Sequence, residues 1–162
     1  MSFEGVNYEP VYKVGYIAAI GLAIALIAIF QPFARPEPAS SRAYGCYISD
    51  VAPSIRLDQS GMTILQPGFA RFGYHLERHK TSITLTADAP IQADRVGERY
   101  VYSLYHPGVG TFLNFYHVKG GRKYGQFDET KLSSFAMLAN DYTELNYRKA
   151  APGECQPSAK RS

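Results

Sequence analysis

VGYIAAIGLAIALIAIF, residues 14–30, holds no charged residue and no Pro, Asn or Gln; two glycines and a tyrosine are the only interruptions of its aliphatic run. As a helix this stretch rises about 26 Å, and extension through Gln31–Phe33 brings it to roughly 30 Å, the depth of a bilayer's hydrocarbon layer. It predicts a membrane-spanning helix over residues 14–33, and that helix divides the chain. Residues 1–13 form a short segment with Glu4 and Glu9 against Lys13. A secretory signal normally opens with positive charge, and the best cleavage candidate, Ala39-Ser40-Ser41, lies well beyond the apolar run. A permanent anchor is therefore expected rather than a cleaved leader.

Along the span, small residues recur at Gly15, Ala18, Gly21, Ala25 and Ala28. On a helix they make one smooth stripe, against which a second helix can pack closely in lipid. From Gln31 to Arg42 come Pro32, Pro36 and Pro38, the last followed by Ala-Ser-Ser. They end the helix and make residues 34–42 an extended linker. Residues 43–150 are left for one folded domain and 151–162 for a C-terminal tail.

The domain's composition points to strands. Thirteen Tyr and nine Phe, no Trp, 14 Gly and 10 Pro suit a strand-and-turn fold better than a helical one. Beyond residue 34 there are 16 Lys or Arg against 12 Asp or Glu, interspersed, so no basic stripe calls for nucleic acid. The only cysteines, Cys46 and Cys155, bracket the domain. Paired, they would tie its first strand to its tail and place it in an oxidising compartment. Positive charge does not orient the span, because Lys13 and the amino terminus on one flank balance Arg35 and Arg42 on the other. The cysteines and the size of the C-terminal domain decide instead: N-terminus cytoplasmic, domain periplasmic, span in a bacterial inner membrane.

Period-two alternation marks the strands. Tyr44–Ile48 is a first strand. Ile55 and Leu57, then Met62 and Ile64, flank a turn at Asp58–Gly61. Residues 71–78 and 81–87 pair antiparallel through His79-Lys80, with Ile83, Leu85 and Ala87 on one face and Ser82, Thr84 and Thr86 on the other. Residues 90–97 read as a loop or short edge strand. Residues 99–105 and 111–118 are expected to form a hairpin through His106–Gly110, in mid-sheet and covered on both faces. Lys119-Gly120-Gly121-Arg122 turns the chain into a short strand over 124–127. Leu132, Phe135, Met137 and Leu138, behind Asp128 as N-cap, predict a helix over 128–140, and 142–147 a last strand. The expected fold is thus a single N-terminal transmembrane helix plus a mainly-β exported domain, an antiparallel β-sandwich or open barrel with one α-helix.

Chemistry finds little footing in the residues. His75 and His79 would point to one side of a strand about 13 Å apart, too far for one tetrahedral ion. His106 and His117 read as turn and surface residues. No GxSxG elbow, GxGxxG loop or P-loop is present, so no catalytic residue, metal or cofactor is expected. Aromatic density is the remaining unusual feature: Tyr100, Tyr102, Tyr105, Phe112 and Tyr116 are either sheet core or a surface for a partner or ligand. The expected function is a non-enzymatic accessory, structural or assembly subunit of a larger inner-membrane complex. Its partners would be integral membrane subunits and the lipid bilayer. The alternatives are a membrane-tethered carbohydrate- or lipid-binding module and, behind it, a small hydrolase.

Overall fold

Alternating strands with tight turns can close on themselves, and in the computed structural model they nearly do. The structure describes residues 9–30, 36–104, 110–151 and 153–155; within the helix, side chains are described at 15–17 and 19–26. It falls into two units, residues 1–36 and 37–162.

The first unit holds helix α1, Glu9–Phe30, of 22 residues. It begins before the apolar run, since Glu9, Pro10 and Lys13 are compatible with a first helical turn. Its described large side chains, from Tyr16 and Ile17 to Leu26, are all exposed. Among the described residues no helix is long and apolar enough to cross a membrane.

The second unit is built from eleven strands: β1 Gly45–Ile48, β2 Ile55–Asp58, β3 Gly61–Ile64, β4 Tyr74–Arg78, β5 Ile83–Ala87, β6 Ile91–Val96, β7 Arg99–Leu104, β8 Thr111–Lys119, β9 Arg122–Gly125, β10 Ser134–Leu138 and β11 Glu144–Lys149. Eight follow one another in an antiparallel sheet in the order β3-β2-β1-β11-β10-β8-β5-β4. The two ends of that path meet through a bridge between Met62 and Phe72, with Met62 N donating to Phe72 O at 2.8 Å and Phe72 N to Met62 O at 3.2 Å. Gly61 makes this seam possible. It sits at φ 131°, and a Cβ there would stand 2.5 Å from the Phe72 carbonyl oxygen, so only glycine lets the edges approach.

An eight-stranded barrel has an interior just wide enough for side chains to fill. Here Tyr47, Phe115, Phe135 and Tyr147 fill much of it, with ring centroids 4.8 Å (Tyr47–Phe135), 5.0 Å (Phe135–Tyr147) and 5.6 Å (Phe115–Phe135) apart. Ile55, Leu57, Leu76, Ile83, Leu85 and Leu113 complete the core.

A disulfide joins Cys46 of β1 to Cys155, with Cα atoms 5.8 Å apart. The β2–β3 turn, the β4–β5 pairing and the β8–β9 turn also fall where the sequence puts them. Gly120 and Gly121 both have positive φ, 59° and 75°, as a type I′ turn requires.

Of the two architectures expected, sandwich or open barrel, the sheet takes the barrel-like one and is nearly closed. Three other expectations are corrected. The helix over 128–140 is absent: after a single 3-10 turn, Glu129–Lys131, the chain runs as β10. Phe135 and Met137 are buried and Ala136 and Leu138 are not, so the pattern is period two. A strand there fills the gap between β8 and β11, where Phe135 pairs with Tyr147 and with Phe115.

The second and third corrections concern residues 99–105 and 111–118, which do not pair. β7 pairs with β6, Val96 opposite Arg99, through a two-residue turn at Gly97 (φ 63°) and Glu98. That short turn fixes the register more cheaply than the longer connection does. β8 pairs with β5 and β10 instead. Neither strand is covered on both faces: Val101 and Leu104 of β7 and Phe112 of β8 are exposed. The strand buried on both faces is β5. Its Thr84 lies beneath the cross-strand neighbours Glu77 and Asn114, and Thr86 beneath His75 and Phe112.

The β6–β7 hairpin closes the upper end of the barrel. Ile91, Ala93, Tyr100 and Tyr102 enter the core, and side chains replace missing strand neighbours. The Gln66 amide donates to Tyr102 O and accepts from Tyr102 N, both at 2.8 Å. Tyr100 N donates to Val51 O, and Asn140 N to Ala93 O. At the lower end lie the chain's point of entry, a 3-10 turn at Ser40–Ala43, and the 3-10 turn over 129–131. The Tyr47 hydroxyl joins the two by donating towards Ala43 O (3.0 Å) and Leu132 O (3.1 Å).

Candidate functional site

β8 outruns its neighbours. Pairing with β5 ends at Asn114 and with β10 at Phe115, so Tyr116–Lys119 are paired by β9 alone, as a two-stranded ribbon at the lower end. Alternation then decides what the ribbon shows. Leu113 and Phe115 point into the barrel, so His117 and Lys119 continue the same face beyond its mouth. Their partners, Tyr124 and Arg122, share that face.

The ribbon's root is fixed by two residues. A Cβ on Gly125 would stand 1.7 Å from Thr81 O, so glycine alone lets β9 lie against the start of β5. Gln126 bridges the strands: its N–H donates to Phe115 O (3.0 Å), and its carbonyl accepts from Ile83 N (2.8 Å). Arg78 adds a bond to Phe127 O at 3.3 Å and an ion pair with Glu129. Asp128 accepts from Thr130 N (3.0 Å) and Thr130 Oγ1 (2.6 Å) and pairs with Lys131 at 3.1 Å. These bonds, Thr130's first, hold the Asp128 carboxyl down to about 2.

The ribbon's inner face bounds an open cleft of about 850 Å³, lined by His117, Lys119, Gly120, Arg122, Tyr124, Gly125 and Phe127. The His117 and Tyr124 rings stack at 5.8 Å with planes 25° apart. Among the described residues no carboxylate lies within ion-pair distance of Lys119 or Arg122. On the outer face Lys123 is neutralised by Glu144 at 2.9 Å, bonds Asn146 Oδ1 at 2.6 Å and stands 4.8 Å over the Tyr116 ring. Val118, beside it, is 61% exposed. Two exposed cations beside a stacked ring pair, with no carboxylate in reach among the described residues, can attract an anion.

At the end of β4, the Nε2 atoms of His75 and His79 reach the two oxygens of Glu77, at 2.7 and 2.8 Å. His75 Nδ1 also lies 3.5 Å from Asp88 Oδ1. The rings converge because the carboxylate sits between them and β4 ends at Arg78. The hydrogen bond to Glu77 raises the His75 pKa, and the two imidazoles lower that of Glu77. Among the described residues no group of three or more His, Cys, Asp or Glu is arranged to hold a metal ion.

The five aromatics singled out in the sequence are not brought to one surface. Tyr100 is buried, its hydroxyl donating to Asp141 Oδ2 at 2.8 Å. Tyr102 is buried against the Tyr147 hydroxyl. Tyr105 lies outside the described residues. Phe112 is 53% exposed on the outer face of β8. Tyr116, half-buried on the same face, donates to Asn146 Oδ1 at 3.1 Å, and burial pushes its pKa up. Of the small-residue stripe, Gly15, Gly21 and Ala25 are exposed on α1; the Ala18 and Ala28 side chains lie outside the description. The sequence marks His117 only as a surface residue and Lys119–Arg122 only as a turn. Carrying the parity of Leu113 and Phe115 four residues further would have placed them on one face.

No family model matches this chain, and no curated protein or solved structure compared with it is detectably similar.

Proposed function

We propose that the chain is a non-enzymatic accessory subunit of a bacterial inner-membrane complex, with the apolar run of residues 14–33 as its membrane anchor and the disulfide-closed barrel on the periplasmic side; the anchor is read from the sequence, since the described residues of α1 alone do not make up a span. One observation carries this reading: α1 exposes Ile17, Ile20, Leu22, Ile24 and Leu26 together. A helix apolar on every side needs lipid or protein around it. The Cys46–Cys155 bond agrees with an oxidising compartment, and the filled interior of the barrel agrees with a scaffold whose contacts are made outside it. The stripe at Gly15, Gly21 and Ala25 and the outer face around Phe112 would be two contacts on one chain, each raising the effective concentration of the other.

Purification from native membranes in mild detergent tests the reading. Co-purification with a defined set of membrane subunits is expected; a carbonate-extractable chain with free thiols refutes both anchor and compartment. A second reading, a tethered module that holds a carbohydrate or lipid, draws on the aromatic, basic cleft. A lone monomer that retains such a molecule through purification would favour it.

A further inference from the structure

We propose that the lower end of the barrel docks on anionic phospholipid headgroups of the bilayer holding α1, with the β8–β9 ribbon as the contact. This rests on the anchored reading above and goes beyond it, because it gives the domain an orientation.

Two basic tips meet at this end. The ribbon brings Lys119 and Arg122, and the β4–β5 turn brings Lys80, beside His79, which is held by Glu77 at 2.8 Å. The two are locked together by the packing of Gly125 on Thr81 and by the Arg78 bond to Phe127 O. Their charges are not balanced locally. Arg78, Lys123 and Lys131 each have a carboxylate partner, whereas among the described residues Lys80, Lys119 and Arg122 have none. Tyr124 and Phe127 stand exposed among these cations at 46% and 49%, and Val118, on the ribbon's other face beside Lys123, at 61%. Aromatic and aliphatic groups interleaved with Lys and Arg suit the headgroup layer, where rings sit at the boundary and long basic side chains reach phosphates.

The occupant is argued from charge and from chain connection. The polypeptide enters the barrel at this same end, through Ser40–Ala43, whose carbonyl at Ala43 is tied to Tyr47. Nine residues, 31–39, separate α1 from that turn, a reach of at most about 30 Å at full extension. Anionic headgroups are therefore the anions within reach of the tips whenever α1 is in a bilayer. An acidic protein would match the charge, but nothing about the chain's entry would bring it to this end.

The chain has no Trp, so Val118→Trp gives the full-length protein a single indole at the ribbon. It is reconstituted into phosphatidylcholine vesicles with or without phosphatidylglycerol, floated after carbonate washing, and read by emission maximum and by quenching with bromine-labelled acyl chains. The expected result is a blue shift and quenching only with phosphatidylglycerol, both lost at 1 M salt, where the screening length falls to about 3 Å. Adding Lys119→Gln and Arg122→Gln to the same indole variant should lower the docked-to-free ratio about 25-fold, roughly fivefold per cation near an anionic surface. Emission indifferent to phosphatidylglycerol in a chain that floats overturns the docking and leaves the anchor standing. A shift that needs added membrane proteins also overturns it, in favour of an acidic partner. A chain that floats with neither vesicle overturns anchor and docking together.

Discussion

Replacing Tyr147 with Phe should cost the barrel far more than replacing Tyr102, although the two hydroxyls bond each other. The Tyr147 hydroxyl lies 3.1 Å from Pro53 O, and a carbonyl can only accept, so Tyr147 spends its one proton there. Tyr102 must then donate to Tyr147. Both side chains are almost wholly buried, and burial drives both pKa values up, so neither hydroxyl ionises in the ordinary range.

Tyr102→Phe removes one bond and strands only a lone pair on Tyr147, a loss of about 0.5–1.5 kcal/mol. Tyr147→Phe removes two bonds and leaves the Tyr102 O–H, a buried donor, with no acceptor, for a loss of about 2–4 kcal/mol. In the double variant that donor is gone and only Pro53 O is unpaired, so the loss falls to about 1–2 kcal/mol. Tyr102→Phe is thus expected to change sign, destabilising the native chain and stabilising the Tyr147→Phe background. Urea unfolding of the full chain and the three variants in one detergent, followed by near-ultraviolet circular dichroism, measures the cycle. Equal effects of Tyr102→Phe in both backgrounds would refute the donor order, and with it this account of how the β6–β7 hairpin is held to the barrel.

Three further outcomes follow from the same structure. Cys46 and Cys155 close a loop of 109 positions, for which chain entropy gives a ceiling of about 4.8 kcal/mol. Cys46→Ser with Cys155→Ser should lower the denaturation free energy by about 3–5 kcal/mol and raise the denaturant slope as the unfolded chain expands; a loss under about 1 kcal/mol contradicts this. Gly61→Ala drives a Cβ onto Phe72 O and holds Ala at positive φ, so a loss of about 2–4 kcal/mol is expected, with hydrogen exchange fastest at Met62 and Phe72. The raised His75 pKa contributes stability that is full below its ordinary 6.5 and fades as pH rises through the raised value. The lowered Glu77 pKa contributes stability present above 4.5 and lost as pH falls through the lowered value. The β4–β5 tip should therefore be firmest between about pH 4.5 and 6.5, by less than about 1 kcal/mol because both groups are substantially exposed. Equal protection of Glu77 and Arg78 amides at pH 5.5 and 8.5, corrected for intrinsic exchange and matched by Glu77→Gln, would remove that role.

Local rules read the chain well at three of its tight turns. Asp58–Gly61, His79-Lys80 and Gly120-Gly121 each join strands that their own turn brings together, and all three pairings are present. The readings that failed missed a partner strand, whether near or far: β6 lies two residues from β7, and β8 pairs with β10 about twenty residues on. Leu132, Phe135 and Met137 satisfy a helical spacing as well as a strand's on so short a window. What settles the matter is the gap between β8 and β11, whose edges lie about ten to twenty residues away on either side. Likewise the aromatic run over 100–116 gave no sign that it divides between a hairpin lid and a barrel wall. Gly97, read as the end of a loop, was the deciding residue.

The same distinction explains why the candidate site was legible in residues but not in place. Lys119–Lys123 was visible as a basic turn. Its meaning depends on β8 continuing four residues past both of its barrel neighbours, which is a property of the sheet and not of the turn. Strand parity then turns an excess of length into a surface, because the positions that fill the core at Leu113 and Phe115 become, at His117 and Lys119, positions with no core to fill. Tyr124 stacks on His117 across the ribbon, but nothing in packing calls for the cations, and an all-polar or shorter hairpin would close the sheet as well. The barrel's stability therefore does not account for Lys119 and Arg122. An external anion would, and under the docking proposed above the bilayer supplies it at the end where the chain enters.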